Sequence, residues 1–311
     1  MGQGGMGQGG MGQADRVTSA EQLRIAVLGP GGVGGLLAAL LARSGQAVTC
    51  LARPDTAAHL DRAGLSVTSD RFGEFTTPVR GADALDEPVD VLLVTTKATS
   101  LDAALDRVPA DVLGAAVVVP LLNGVEHMAA LRERYPAARV VAGTIRVAAS
   151  RPAPGAVRHE GALCAVELAP GAEPLADALA AAGADVAVRP DEVGLLWDKL
   201  AFLAPMALLT TQAGAPLGPV RDERGEDLAA VIEEVAAVAR AEGAAADAAA
   251  TREFAWSLPD GMRSSMQRDA EAGNPTEVEA IGGAVLRAAD RHGVDVPVTR
   301  RIVEELRARP A

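Results

Sequence analysis

The chain of 311 residues is long enough for two domains and a sizeable core, and its 49% apolar content, largely Ala, Val and Leu, points to a globular fold. A formal net charge of −12 argues against a nucleic-acid backbone or an anionic membrane as the main partner, and no apolar run reaches the length of a bilayer span. Two cysteines, Cys50 and Cys164, make no disulfide framework; four scattered histidines, His59, His127, His159 and His292, have no metal-ligand spacing and read as surface or loop residues, and a reducing cytoplasm fits both.

Residues 1–22 open with a repeated Met-Gly-Gln-Gly-Gly unit that has nothing to bury and is expected to be disordered. From Leu23 the pattern changes. Leu23–Leu28 is an apolar strand, Gly29-Pro-Gly31-Gly32-Val33-Gly34 a tight turn, and Val33–Ser44 a helix. This order suits a dinucleotide pyrophosphate. Gly29 permits the turn, Gly31 lets backbone N–H groups approach the phosphates, and Gly34 lets the helix pack closely on the strand. A second strand, Ala47–Leu51, leads to Arg53, where an acidic residue would hold a ribose 2′-hydroxyl. A guanidinium there suits a 2′-phosphate and favours NADPH; Asp55, two residues on and after Pro54, is the rival reading toward NADH.

Val89–Thr95 and Ala115–Val119 are continuous apolar runs of central-strand type, followed by strand character over Val140–Ala148 and Ala156–Leu168. Alternating strand and helix signals imply a parallel sheet covered by helices, with ligands bound beyond the strand C-terminal ends. Those ends carry Gly29–Gly34, Arg53, Lys97 and Asn123. The expected organisation is therefore an α/β chain: a Rossmann-type parallel-sheet domain over 23–190, then an all-helical domain over 191–311. Its helices are expected over Asp191–Thr211, with a kink at Pro205, and over Asp227–Glu242, Asp247–Ser257, Pro259–Ala272, Pro275–His292 and Thr299–Arg309. Asn274-Pro275 reads as a helix start. A helical domain behind a nucleotide domain makes a cleft for substrate.

Lys199 lies in a mostly apolar helical segment, Leu195–Leu203. It either snorkels to the surface or points into a polar pocket, where its ammonium can protonate a carbonyl oxygen as hydride arrives at carbon. Glu277, one turn into its helix, is ordinary for a first turn, and Ser264-Ser265, mid-helix, are either ligand donors or exposed serines.

The ordered set Gly29-x-Gly31-x-x-Gly34, Arg53, Leu93-Val-Thr-Thr-Lys97, Asn123-Gly124, Leu196-Trp-Asp-Lys199-Leu, Ser264-Ser265-Met266 and Glu277 resembles the 2-dehydropantoate 2-reductase, or ketopantoate reductase, family from Leu23 to about Arg307. The resemblance implies a Rossmann domain followed by a helical one, with NADPH reducing 2-dehydropantoate to (R)-pantoate. It implies Lys199 as general acid at the ketone oxygen, Glu277 holding the active-site network and positioning substrate or lysine, and Ser265 on the substrate carboxylate. Gly29, Gly31, Gly32, Val33, Gly34, Arg53, Lys97 and Asn123 would form the cofactor site, Asn123 also reaching substrate.

The chain departs from the family where substrate-binding asparagines are expected: Leu203, Ala207 and Met262 stand there. Losing several amides that recognise a hydroxyl costs a factor of roughly 10⁴ in selectivity. The alternatives are thus a reductase of a less polar 2-oxo acid or ketone, a related 3-hydroxyacid dehydrogenase (against which Leu203 argues), and a non-catalytic NADPH-binding sensor. The expected partner is a small 2-oxo acid rather than nucleic acid or membrane, and a homodimer stays open.

Overall fold

A computed structural model describes residues 22–309. The expected glycine-rich tail lies outside them except for Gln22, whose side chain donates to the Gly45 carbonyl. The elements in chain order are β1 (Arg24–Leu28), α1 (Gly32–Arg43), β2 (Ala47–Leu51), α2 (Pro54–Ala63), β3 (Leu65–Ser69), β4 (Gly73–Thr77), β5 (Arg80–Ala82), β6 (Val91–Val94), α3 (Leu101–Leu105), α4 (Ala110–Leu113), β7 (Val117–Pro120), α5 (His127–Arg134), β8 (Arg139–Val140), β9 (Gly143–Ala153), β10 (Ala156–Leu168), α6 (Glu173–Ala181) and β11 (Asp185–Val188). Helices follow: α7 (Glu192–Ala213), α8 (Leu217–Ala241), α9 (Ala248–Ser257), α10 (Ser265–Glu271), a π-helical turn Glu279–Gly283 leading into α11 (Ala284–His292), and α12 (Pro297–Arg307).

One sheet has the order β5-β2-β1-β6-β7-β8, all parallel. Its central strands read as unbroken apolar runs because both faces are covered. Along β1, Ile25 and Val27 pack with α1, while Ala26 and Leu28 pack with α3, α4 and Tyr135 on the other side. The simple picture of a single parallel sheet flanked by helices needs correcting. A second, mixed sheet, β11-β10-β3-β4 with β9 antiparallel to β10, covers α1, so α1 lies between two sheets. Its small strands carry their own signal. β3 alternates buried Leu65, Val67 and Ser69 with exposed Ser66 and Thr68, the period of a half-covered strand.

All strands precede Arg189, and the third core is built from α7 to α12. Asp191 caps α7 by accepting from the Gly194 N–H at 2.9 Å, and Gly214, at φ 62°, ends it. The helix runs on past Pro205 to Ala213. By length and apolar content α7 could cross a bilayer, which the sequence alone did not suggest, but most of it is buried in the helical core. α8 begins ten residues before the expected start, with a break from helical geometry at Arg224.

Two other helix starts move. Pro259–Ser264 is not helical; Ser264 caps α10 by accepting from Gln267 N–H at 3.0 Å, so Ser265 is the first residue of α10 and not mid-helix. Asn274 does not open the next helix. Its N–H donates to the Asp269 carbonyl at 2.8 Å behind Gly273 at φ 67°, which closes α10 instead. The following helix starts at Val278, just after Glu277, whose carbonyl accepts from Ile281 N–H.

Candidate active site

A cavity of about 1370 Å³ lies between the sheet-containing portion and the helices. On the sheet side, Gly29, at φ 83°, turns the chain out of β1, and Thr95 Oγ1 donates to the Leu28 and Gly29 carbonyls at 3.0 and 2.9 Å to brace the turn. Gly29, Gly31, Gly32 and Val33 line the cavity; Gly34 does not. A Cβ at Gly34 would strike Thr95 and the Gly29 carbonyl, and one at Gly32 would strike Ala149 of β9. A Cβ at Gly31 would meet only the Gly29 oxygen at 3.9 Å and would otherwise fill the cradle at the start of α1. That first turn has no side-chain cap and no acidic residue, and Gly32 and Val33 line the cavity beside it, an arrangement that suits an anion.

Arg53 lines the same cavity from the N-terminus of α2, just beyond β2. Asp55 is in the first turn of α2, exposed and off the cavity wall. The glycine turn and Arg53 on one wall therefore fit a dinucleotide.

Lys97 projects from the end of β6, and its Nζ pairs with Asp269 of α10 at 2.6 Å, which spans the cleft. Asn123, beyond β7, donates from Nδ2 to Glu277 Oε2 at 2.9 Å, and the Ala98 N–H donates to Oε1 at 3.0 Å. Glu277 is buried, at 5% exposure, and its partners come from the opposite side of the cleft. It is a bridge between the two halves, and not merely an acid of a first helical turn.

Lys199 lines the cavity from α7, with no protein hydrogen-bond acceptor among the described residues. Burial pushes its ammonium down from 10.5 to about 8; the Glu277 charge pulls upward and Arg146 pushes further down. Ser265 lines the cavity at the start of α10, while Ser264 is buried and bonded to Thr210 Oγ1 at 2.8 Å. Leu203 and Met262 line the cavity as well. Ala207 does not: it is 1% exposed inside the helical core, and Met206 takes the wall position. Seven residues are close to two helical turns, so Met206 lies nearly in line with Lys199 and Leu203, whereas the eighth is rotated away.

Several wall residues were missed from sequence. Phe202 and Phe254 pack with ring centroids 5.0 Å apart, and with Leu258 they extend the apolar wall. Arg107, Arg146, Arg151, Arg263 and Arg268 join Arg53, Lys97 and Lys199 around the cavity, against only Asp198, Asp269 and Glu277. In a chain of net charge −12 this is a local cationic site. No residue spacing announces it, because its eight cations come from six separate segments of the chain.

Two of the histidines are also inside, not at the surface. His159 is bonded through Nδ1 to Ser69 Oγ at 2.8 Å and through Nε2 to the Leu163 carbonyl. His127 is 7% exposed at the start of α5, and burial together with the Lys199 charge pushes its pKa down to about 4. Among the described residues no group of His, Cys, Asp and Glu could hold a metal, and both cysteines are free and buried.

Residues 25–172 match the family model described as ketopantoate reductase PanE/ApbA, and residues 193–310 match its C-terminal partner. The chain belongs to the ketopantoate reductase family. It is thus an oxidoreductase of a pyridine-nucleotide-dependent family. It is 33% identical over 297 residues to a 2-dehydropantoate 2-reductase of Mycobacterium tuberculosis, covering 91% of this chain and 97% of that one. A ketopantoate reductase structure from Ralstonia eutropha JMP134 superposes with a TM-score of 0.81 at 29% identity, over 91% of this chain and 97% of the other. The ternary structure of D-mandelate dehydrogenase with NADH and anilino(oxo)acetate superposes at 0.82 over 91% and 97%, at 22% identity, a likeness of fold.

Proposed function

We propose that the protein uses NADPH to reduce a 2-oxo acid to the 2-hydroxy acid. The observation that carries this is the meeting of an open α1 N-terminus, Arg53 and an unpaired Lys199 on one cavity. Gly31, Gly32, Val33 and the α1 N–H groups would hold the pyrophosphate, Arg53 the 2′-phosphate, and Lys97 and Asn123 the nicotinamide end. When bound, NADPH supplies the hydride that adds to C2 of the substrate.

The chain's own residues do the rest. Lys199 gives a proton from Nζ to the ketone oxygen as negative charge gathers there, then regains one from water. An ammonium with pKa about 8 is largely protonated at neutral pH yet gives up its proton more readily than a free lysine. Glu277, fixed by Asn123 and Ala98, keeps Lys199 charged and anchors the two halves in register. Ser265 donates to the carboxylate. Leu203, Met206, Met262 and Phe254 surround the substrate side chain and keep water away.

The family name makes 2-dehydropantoate the first substrate. A specific observation favours a second reading: where the resemblance expects hydroxyl-binding asparagines, Leu203 and Met262 line the cavity. On that reading the side chain carries no hydroxyl. The test is NADPH oxidation by purified protein with 2-dehydropantoate and with 3,3-dimethyl-2-oxobutanoate, which lacks only the hydroxyl. A kcat/KM ratio above roughly 10³ would assign 2-dehydropantoate, a ratio within tenfold the apolar class. No turnover with any 2-oxo acid would overturn the reductase reading.

A further inference from the structure

We infer that Arg146 anchors the substrate carboxylate and sets the preference of this site for 2-oxo acids over uncharged ketones; the inference rests on the reductase reading. Arg146 stands on β9, the strand against which α7 packs, and it lines the same cavity as Lys199. Its Nη2 makes a long ion pair with Glu167 Oε2 at 3.4 Å, a carboxylate it shares with Arg189, while Nε and Nη1 have no acceptor among the described residues. A guanidinium with free donors facing a cavity is suited to a carboxylate, which it can take in a two-point contact.

The other cations of the cavity are less suited. Lys97 is committed to Asp269, Arg263 pairs with Glu271, Arg268 donates to the Arg263 carbonyl, and Arg107 donates to the Asp83 carbonyl. Arg53 lies at the far, ribose end with α2. Arg151 is five residues further along β9, roughly 17 Å away on an extended strand.

The helical wall beside Lys199 offers Leu203, Met206 and Met262, none of which can bind an anion. A 2-oxo acid carries its carboxylate on the carbon next to the ketone. A substrate whose ketone oxygen reaches Lys199 therefore has its carboxylate within a few ångströms of that lysine. Arg146 is close enough for its charge to act on Lys199. Ser265, from the helical side, contributes one hydroxyl to the same group. Neither Gly143–Ala153 nor Arg146 carries a motif, and the assignment comes from the packing of β9 on α7.

The experiment compares wild type, Arg146→Met and Arg146→Lys. Oxamate, an unreactive 2-oxo acid mimic, is titrated calorimetrically into protein loaded with NADP⁺, and NADPH affinity is measured separately. The kcat/KM for a 2-oxo acid is set against that for its 2-oxo amide. Arg146→Met is expected to weaken oxamate about ten- to a hundred-fold, lower the acid-over-amide ratio by a similar factor, and leave NADPH affinity within about twofold. Arg146→Lys restores part of the loss.

Unchanged oxamate affinity would overturn the inference. So would an equal loss of NADPH and oxamate, which would make Arg146 a cofactor contact. If wild type turned over no 2-oxo acid, the reductase reading would fall; Arg146-dependent oxamate binding would still establish the carboxylate site.

Discussion

Lys199 is the residue on which the chemistry turns, and its environment sets a pH limb with a definite sign. Reduction needs the ammonium, so kcat/KM should be level at neutral pH and fall tenfold per unit above about pH 8. Glu277 supports the charged form, so Glu277→Gln moves the limb to lower pH, while Arg146→Met, which removes a like charge, moves it higher. Stopped-flow rates across pH 6–10 check both directions; a limb at the same pH in all three proteins would mean that Lys199 is not the titrating acid. Arg53 answers a separate question at the same scale. Arg53→Ala should weaken NADPH about ten- to a hundred-fold and NADH within about twofold, by fluorescence titration. Equal losses would remove Arg53 from the phosphate site.

At the scale of elements, the glycine turn separates folding from binding. Gly34→Ala forces a Cβ into Thr95 and the Gly29 carbonyl, and overpacking of this kind costs about 1–3 kcal/mol. Gly31→Ala adds a methyl group to open space at an ordinary φ of −80°. It should leave the melting temperature nearly unchanged and weaken NADPH at least tenfold, while Gly34→Ala lowers the melting temperature. Loss of stability in Gly31→Ala with cofactor affinity retained would contradict the cradle. This turn was readable from the sequence because each glycine answers a local backbone demand, and β1, β2 and α1 were readable because both faces of a central strand must be apolar. The second sheet was legible only in part: β9 and β10 read as strands but not as members of a separate sheet, and the short β3, β4 and β11 are marked only by an alternation that competes with loops. Nor was the boundary of α10: Ser264 won the cap because its hydroxyl reaches Gln267 N–H and Thr210 at once, a tertiary fact. Met206 in place of Ala207 is a matter of helical phase. Arg146 and Phe254 depend on which elements meet, and no local spacing records that.

At the scale of the whole molecule, the segment Asn123–His127 fastens the two halves together. Asn123 bonds Glu277, a Cβ at Gly124 would collide with the Ala280 carbonyl, and Val125 packs against both the sheet core and the helical core. Glu126 pairs with Arg287 of α11 at 2.6 Å. His127 follows, buried, with its Nε2 unpartnered among the described residues. An imidazole so placed near the Lys199 charge resists protonation down to about pH 4, whereas in the unfolded chain it protonates near 6.5. Between those values the unfolded state binds more protons, so stability is greatest above pH 6.5 and falls as pH drops toward 4. The full span corresponds to about 3 kcal/mol, at roughly 1.4 kcal/mol per unit. His127→Gln removes the titrating group and keeps a polar side chain, so its stability should fall less steeply over this window, whatever its stability at pH 7. Urea unfolding of both proteins from pH 7 to 4.5 reads the difference in slope, because carboxylates common to both cancel. Parallel curves would mean that the folded protein protonates His127 as easily as the unfolded chain does. The buried junction between the halves would then have to admit a second positive charge beside Lys199.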